Sequence, residues 1–119
     1  MSSATGAICL DILKDQWAAA LTLRTVLLSI QALLAAPEPD DPQDAVVASQ
    51  FKTNKQLFDR VARYWSVEHA GAEHNAETKE MEVILCKVLD MGFTKSRAIV
   101  ALSQNNWKLE DAIQWLSDQ

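Results

Sequence analysis

LTLRTVLLSIQALLAA, residues 21–36, is apolar enough to raise the question of a membrane span. A span takes about 20 apolar residues, and this stretch is shorter and interrupted by Arg24, Ser29 and Gln31. It reads instead as a buried helix. Its apolar side chains (Leu21, Leu23, Val26, Leu27, Leu28, Ile30, Leu33 and Leu34) spread around most of the circumference. A helix apolar nearly all round must be covered on several sides.

On its N-terminal side, residues 1–20 show no sustained helical period and predict an irregular, well-packed loop. On its C-terminal side, Pro37-Glu38-Pro39-Asp40-Asp41-Pro42 ends the helix, because proline lacks a backbone donor and disfavours helix in the residue before it. Asp41 suits an N-cap and Pro42 a first helical position, so a short helix is expected through about Phe51, with Ala45, Val46 and Val47. Asn54 caps the next. From Lys55 to Ala70, Leu57, Phe58, Val61, Tyr64 and Trp65 recur at helical spacing, and Gly71 ends the element.

Residues 71–78, GAEHNAET, are small and polar without periodicity, and a linker between two domains is placed there. Beyond it, Met81, Ile84, Leu85 and Val88 form a stripe that Gly92 can close with a left-handed conformation. Thr94 can cap a second helix carrying Ala98, Ile99 and Leu102. After an Asn105-Asn106 turn, a third carries Leu109, Ala112, Ile113 and Leu116. Three short helices sharing one core are expected over residues 79–119.

No alternating strand and no two-residue hairpin turn stands out, so the chain reads as all-α. The helices expected after residue 40 offer one apolar face each, too little to enclose residues 21–36. Four surplus Leu or Ile side chains left in water would forgo roughly 6–12 kcal/mol at about 1.5–3 kcal/mol each, as much as a whole domain's stability. The first 70 residues are therefore predicted to be unstable by themselves.

Composition excludes several functions. The 119 residues carry a formal net charge of −5, which gives no basic field for nucleic acid or an anionic membrane surface. Cys9 and Cys86 lie in dissimilar contexts and no secretory pattern opens the chain, which points to a reducing compartment, cytoplasmic and/or nuclear. His69 and His74 lie five apart with neither cysteine at ligand spacing, so no metal site is expected. No Gly-rich phosphate loop is present and no cofactor is expected.

GAICLDILKDQW at residues 6–17, LTLRTVLLSIQALL at 21–34 and PEPDDP at 37–42, in this order and spacing, resemble the ubiquitin-conjugating enzymes from their active-site cysteine onward. Met91-Gly92-Phe93 and the DAIQWL run ending at Leu116 resemble a ubiquitin-binding UBA domain. The combination is similar to the chain-building conjugating enzymes that end in a UBA domain. It implies the helical C-terminal half of an α+β catalytic domain at 1–70, a linker at 71–78 and a UBA domain at 79–119. It also implies that the sheet under residues 21–36, and the His-Pro-Asn motif that precedes the cysteine in this family, lie outside these residues.

The resemblance assigns the thioester nucleophile to Cys9, a role suited to a thiol because thiolates are strong nucleophiles and thioesters stay reactive toward amines. Its neighbours alone, Ile8 and Leu10, would make Cys9 a buried small hydrophobe. Asp41 falls at the family's acidic position near the thioester, where a carboxylate orients and helps deprotonate an incoming lysine, and Asp11 is a second candidate. Asp41 as a mere N-cap is the alternative. Trp17 to Ala20 matches a loop that contacts ubiquitin ligases, with Ala18-Ala19 where many members have Ser-Pro.

Met91, Gly92, Phe93, Trp115 and Leu116 fall at positions that form an apolar patch for ubiquitin. From spacing alone, Met91 and Phe93 also read as a core plug, and Leu116 as both core and patch. Trp115 lies off the third helix's apolar stripe and is expected to project away from the core. Two functions follow as expectations. The chain passes ubiquitin through a cysteine thioester to a lysine amine, with the upstream activating enzyme using the ATP, or it is an inactive truncated product that only binds ubiquitin.

Overall fold

The computed structural model describes residues 5–119, so the first four residues of the expected opening loop lie outside what is described. Among the described residues there are six α-helices, one short 3-10 turn and no strand. The chain divides into two compact units, one ending at Ser49 and one running from Gln50 to Gln119.

In the first unit, the loop closes on a 3-10 turn at Asp11–Leu13, where the Leu13 N–H donates to the Leu10 carbonyl at 3.0 Å. Helix α1, Leu23–Ala35, starts where Thr22 and Thr25 satisfy each other's backbone N–H groups, and its C-cap, Ala36, directly precedes Pro37. Only Val26 of this helix is buried. Leu23, Leu27 and Leu34 are 80%, 65% and 62% exposed, so the helix lacks the cover that its apolar circumference calls for.

Helix α2, Ala45–Thr53, begins three residues later than the sequence indicates. Asp44, not Asp41, caps it: the Asp44 carboxylate accepts from the Val46 and Val47 N–H groups at 3.1 and 3.2 Å. Two aspartates three residues apart both have cap chemistry, and the one next to the apolar run takes the role. Pro42 accordingly lies before the helix.

The second unit holds the main core. Helix α3, Lys55–Ala70, is capped by Asn54, whose side chain accepts from the Leu57 N–H at 3.0 Å, and ends at Gly71 with φ 69°. Helix α4, Ala76–Leu89, starts inside the expected linker because Asn75 and Thr78 form a reciprocal cap. Residues 71–75 alone are irregular. Helices α5, Lys95–Gln104, and α6, Leu109–Ser117, complete the three-helix arrangement.

Met81, Leu85, Val88, Ala98, Leu102 and Ala112 are fully buried between these helices, and Val61 and Tyr64 of α3 belong to the same cluster. The apolar stripe of α3 thus finds its cover on α4 to α6. Asn106 and Trp107 adopt left-handed backbone, φ 55° and 59°. That conformation is costly for a bulky residue. It is held by the Trp107 N–H donating to the Leu102 carbonyl at 2.7 Å and by burial of the indole, which packs edge-on to Tyr64 at 4.9 Å.

Candidate functional sites

Cys9 sits two residues before the 3-10 turn with its thiol exposed. The buried-hydrophobe reading therefore fails: flanking Ile8 and Leu10 are half-buried and anchor the loop, while Cys9 between them points outward. A thiol so placed can be reached by a bulky acyl donor. The Asp11 carboxylate accepts from the Ile12 N–H at 2.7 Å and is tied to shaping its own turn. Asp41 is exposed, and its backbone N–H donates to the Glu38 carbonyl at 3.3 Å within the proline-rich turn. Of the two carboxylates, Asp41 is thus the one not bound into a cap or turn by any side-chain hydrogen bond described above. Trp17 is 52% exposed in the loop between Cys9 and α1.

The second candidate site lies where α4 gives way to α5. Helix α4 ends at Leu89, and the Met91 and Gly92 N–H groups donate to Val88 and Leu89 carbonyls at 3.2 and 2.8 Å. Gly92 has φ 92°, which L side chains rarely adopt, so a glycine is needed for the chain to reverse here. The turn leaves Met91 55% exposed and holds Phe93 half-buried against the core. A flexible, polarizable methionine at a tight turn is a suitable contact for another protein's apolar surface.

Of the two roles expected of Leu116, the structure shows the core one: it is 3% exposed and belongs to the core cluster. Trp115 does not project away: it is half-buried and packs against the core, although it lies one residue off the stripe. Of these residues Met91 and Gly92 are exposed, while Phe93 and Trp115 are half-buried against the core.

Several interactions in the second unit were not visible in the sequence. Buried Gln50 donates its amide to the Ser103 carbonyl at 2.8 Å and to Asn106 Oδ1 at 3.1 Å. The Trp65 indole donates to Ser103 Oγ at 2.9 Å, and the Tyr64 hydroxyl donates to Glu82. Burial and the Glu82 carboxylate push the Tyr64 pKa well above its ordinary range. Lys95, at the start of α5, pairs with Glu68 of α3 at 2.6 Å, and that partner raises its pKa. Among the described residues no group of side chains is arranged to hold a metal ion.

Comparison with known proteins gives two matches within the chain: residues 2–66 to the ubiquitin-conjugating enzyme family and residues 87–116 to the UBA/TS-N domain. Over 118 residues the chain is 59% identical to the human ubiquitin-conjugating enzyme E2 K, covering 98% of this chain and 57% of that protein. It is 52% identical over 118 residues to ubiquitin-conjugating enzyme E2 21 of Caenorhabditis elegans, covering 99% and 55%. With ubiquitin-conjugating enzyme E2 27 of Arabidopsis thaliana the identity is 50% over 105 residues, 88% of this chain and 52% of that one. The chain thus spans somewhat over half the length of these relatives.

Proposed function

The chain belongs to the ubiquitin-conjugating enzyme family and carries a UBA domain, and from this premise we propose that Cys9 receives ubiquitin as a thioester and that the Met91–Phe93 turn binds ubiquitin noncovalently. In the first step the Cys9 thiolate attacks the thioester of ubiquitin on the activating enzyme. A new S–C bond forms, the old one breaks, and the activating enzyme recovers its thiol. In the second, a lysine amine attacks the Cys9 thioester, an isopeptide bond forms and Cys9 leaves as thiolate. Asp41 orients that amine and takes up its proton. No cofactor enters either step, since ATP is used upstream, and the reading places the reaction in the cytoplasm or nucleus. The exposed Trp17 to Ala20 segment is the surface for ubiquitin ligases.

The observation that carries this reading is the exposed thiol of Cys9 inside a stretch that follows the family's pattern. A ubiquitin held at Met91 would raise the local concentration of ubiquitin for transfer. The exposed leucines of α1 favour a second reading, in which the 119 residues alone bind ubiquitin through the second unit and transfer nothing.

Incubation with activating enzyme, ubiquitin and ATP separates the two readings. A thiol-sensitive ubiquitin adduct, absent in Cys9→Ser, is the expected result. Its absence, together with retained ubiquitin binding at residues 91–93, would leave the second reading standing.

A further inference from the structure

Helix α4 has a second face besides the one it gives to the core. Met81, Leu85 and Val88 are buried, and on the opposite side Lys79, Val83, Cys86 and Asp90 follow at steps of four, three and four residues, all exposed. At 3.6 residues per turn these four fall within about 60° of the circumference. Asp90 belongs to the stripe because it keeps right-handed helical backbone, φ −60°, although it is already the C-cap. Val83, 59% exposed, and the exposed Cys86 lie in a shallow groove whose exposed lining is almost wholly apolar and whose rim is His74, Lys79 and Glu82.

The charges that end this stripe are at odds with the helix that carries them. Lys79 is the fourth residue of α4, near its positive N-terminal end, and Asp90 caps the negative C-terminal end. Both placements oppose the helix macrodipole. Among the described residues neither side chain enters an ion pair that would offset this. The two stand eleven residues apart on one helix, out of each other's reach, so an opposite charge for each has to come from another molecule. The midpoint between Lys79 and Asp90 is also the midpoint between Val83 and Cys86, which makes the stripe complementary to its own reverse.

We propose that this face of α4 pairs antiparallel with the same face of a second copy of the chain, about a two-fold axis at that midpoint. Such an interface is self-complementary. Lys79 of each copy comes level with Asp90 of the other, giving an ion pair at either end, while Val83 packs beside Val83 and Cys86 beside Cys86 in the apolar centre. Glu82, at the edge of the stripe, meets its like-charged equivalent only at a distance, and its carboxylate is already engaged by the Tyr64 hydroxyl. One pair of 14-residue helices, about 21 Å long, buries less than the roughly 1,200 Å² of a stable complex, so the association is weak and depends on concentration. The exposed leucines of α1 are a rival basis for self-association, and the charge register separates the two.

The test is cross-linking of the full 119-residue chain carrying Cys9→Ser, in which Cys86 is the remaining thiol, by a short bis-maleimide at submillimolar protein. Rates are taken relative to labelling by a monofunctional maleimide, which removes any change in thiol reactivity. A covalent dimer should form, faster at higher concentration. Lys79→Glu and Asp90→Lys, each alone, set like charges level at both ends and should slow cross-linking about tenfold. Both changes agree with the macrodipole, so helical circular dichroism should be retained. Mixed in equal amounts, the two variants regain both opposite-charge pairs and should recover to about half the parent rate, the share of encounters that bring unlike variants together. No dimer from the parent chain, a rate that ignores either single change, or a mixture no faster than its components would each overturn the proposal. Association insensitive to both changes would place the contact on another face, α1 first.

Discussion

Gly71 and Leu85 show two different ways in which a single residue holds the second unit together. Gly71 adopts φ 69° and a methyl group added there would meet nothing within 4 Å, so Gly71→Ala isolates the backbone cost of a left-handed residue. That cost is about 1–2 kcal/mol, to be read as a lowered denaturation midpoint with unchanged slope. Leu85 is fully buried, and Leu85→Ala should cost about 2–5 kcal/mol through lost transfer energy and a residual cavity. Tyr64 is the chain's single tyrosine, which makes its ionisation separately visible by ultraviolet absorption. Its folded pKa is raised above the ordinary 10.0, and that of Lys95 above 10.5. Both groups therefore contribute stability that is fully present below those values and is lost as the pH rises through the folded ones. Phenolate absorbance should appear only together with loss of helical circular dichroism. A simple titration near pH 10 with the helices intact would contradict the buried Tyr64–Glu82 contact.

At the scale of elements, legibility followed how local the signal was. Both ends of α3 could be read from the sequence because Asn54 and Gly71 act on their own neighbours. The start of α2 could not, because Asp41 and Asp44 carry the same chemistry and only the completed helix shows which N–H groups are satisfied. The Met91–Phe93 turn was legible through its glycine, but the inward lie of Trp115 was not, since helical spacing gives direction and not the reach of a large ring. For α1 the apolar circumference was legible and its lack of cover followed by comparing apolar faces. This contrast makes a prediction: Leu27→Lys, on a side chain already 65% exposed, should change stability by no more than about 0.5 kcal/mol. It should also reduce binding of a hydrophobic dye. A loss of several kcal/mol would mean that α1 is covered in solution.

Across the whole molecule, the sequence pattern and the packing draw the boundary in different places. The polar run at 71–78 lies between the two family matches, at 2–66 and 87–116. The second compact unit nevertheless begins at Gln50, because periodicity shows which face of α3 is apolar but not which helices receive it. Trp107 was missed for a related reason: its left-handed backbone and its contacts to Tyr64 and Met81 join segments far apart in sequence. If α3 is part of the folding unit, a peptide of residues 50–119 should unfold cooperatively, whereas residues 79–119 should be much less stable. Removing α3 takes away the burial of Val61 and Tyr64, worth about 1.5–3 kcal/mol for an aliphatic or aromatic side chain. It also leaves the Trp107 indole without its ring partner, and the cut at residue 79 separately removes the cap formed by Asn75 and Thr78 at the start of α4, worth about 1 kcal/mol. For a unit this small the sum is a large part of the total stability. Thermal unfolding followed by circular dichroism should therefore give residues 79–119 a midpoint lower by 10 °C or more, on the order of 4–8 °C for each kcal/mol lost. Equal midpoints for the two peptides would mean that the three helices stand by themselves and that α3 only rests on them.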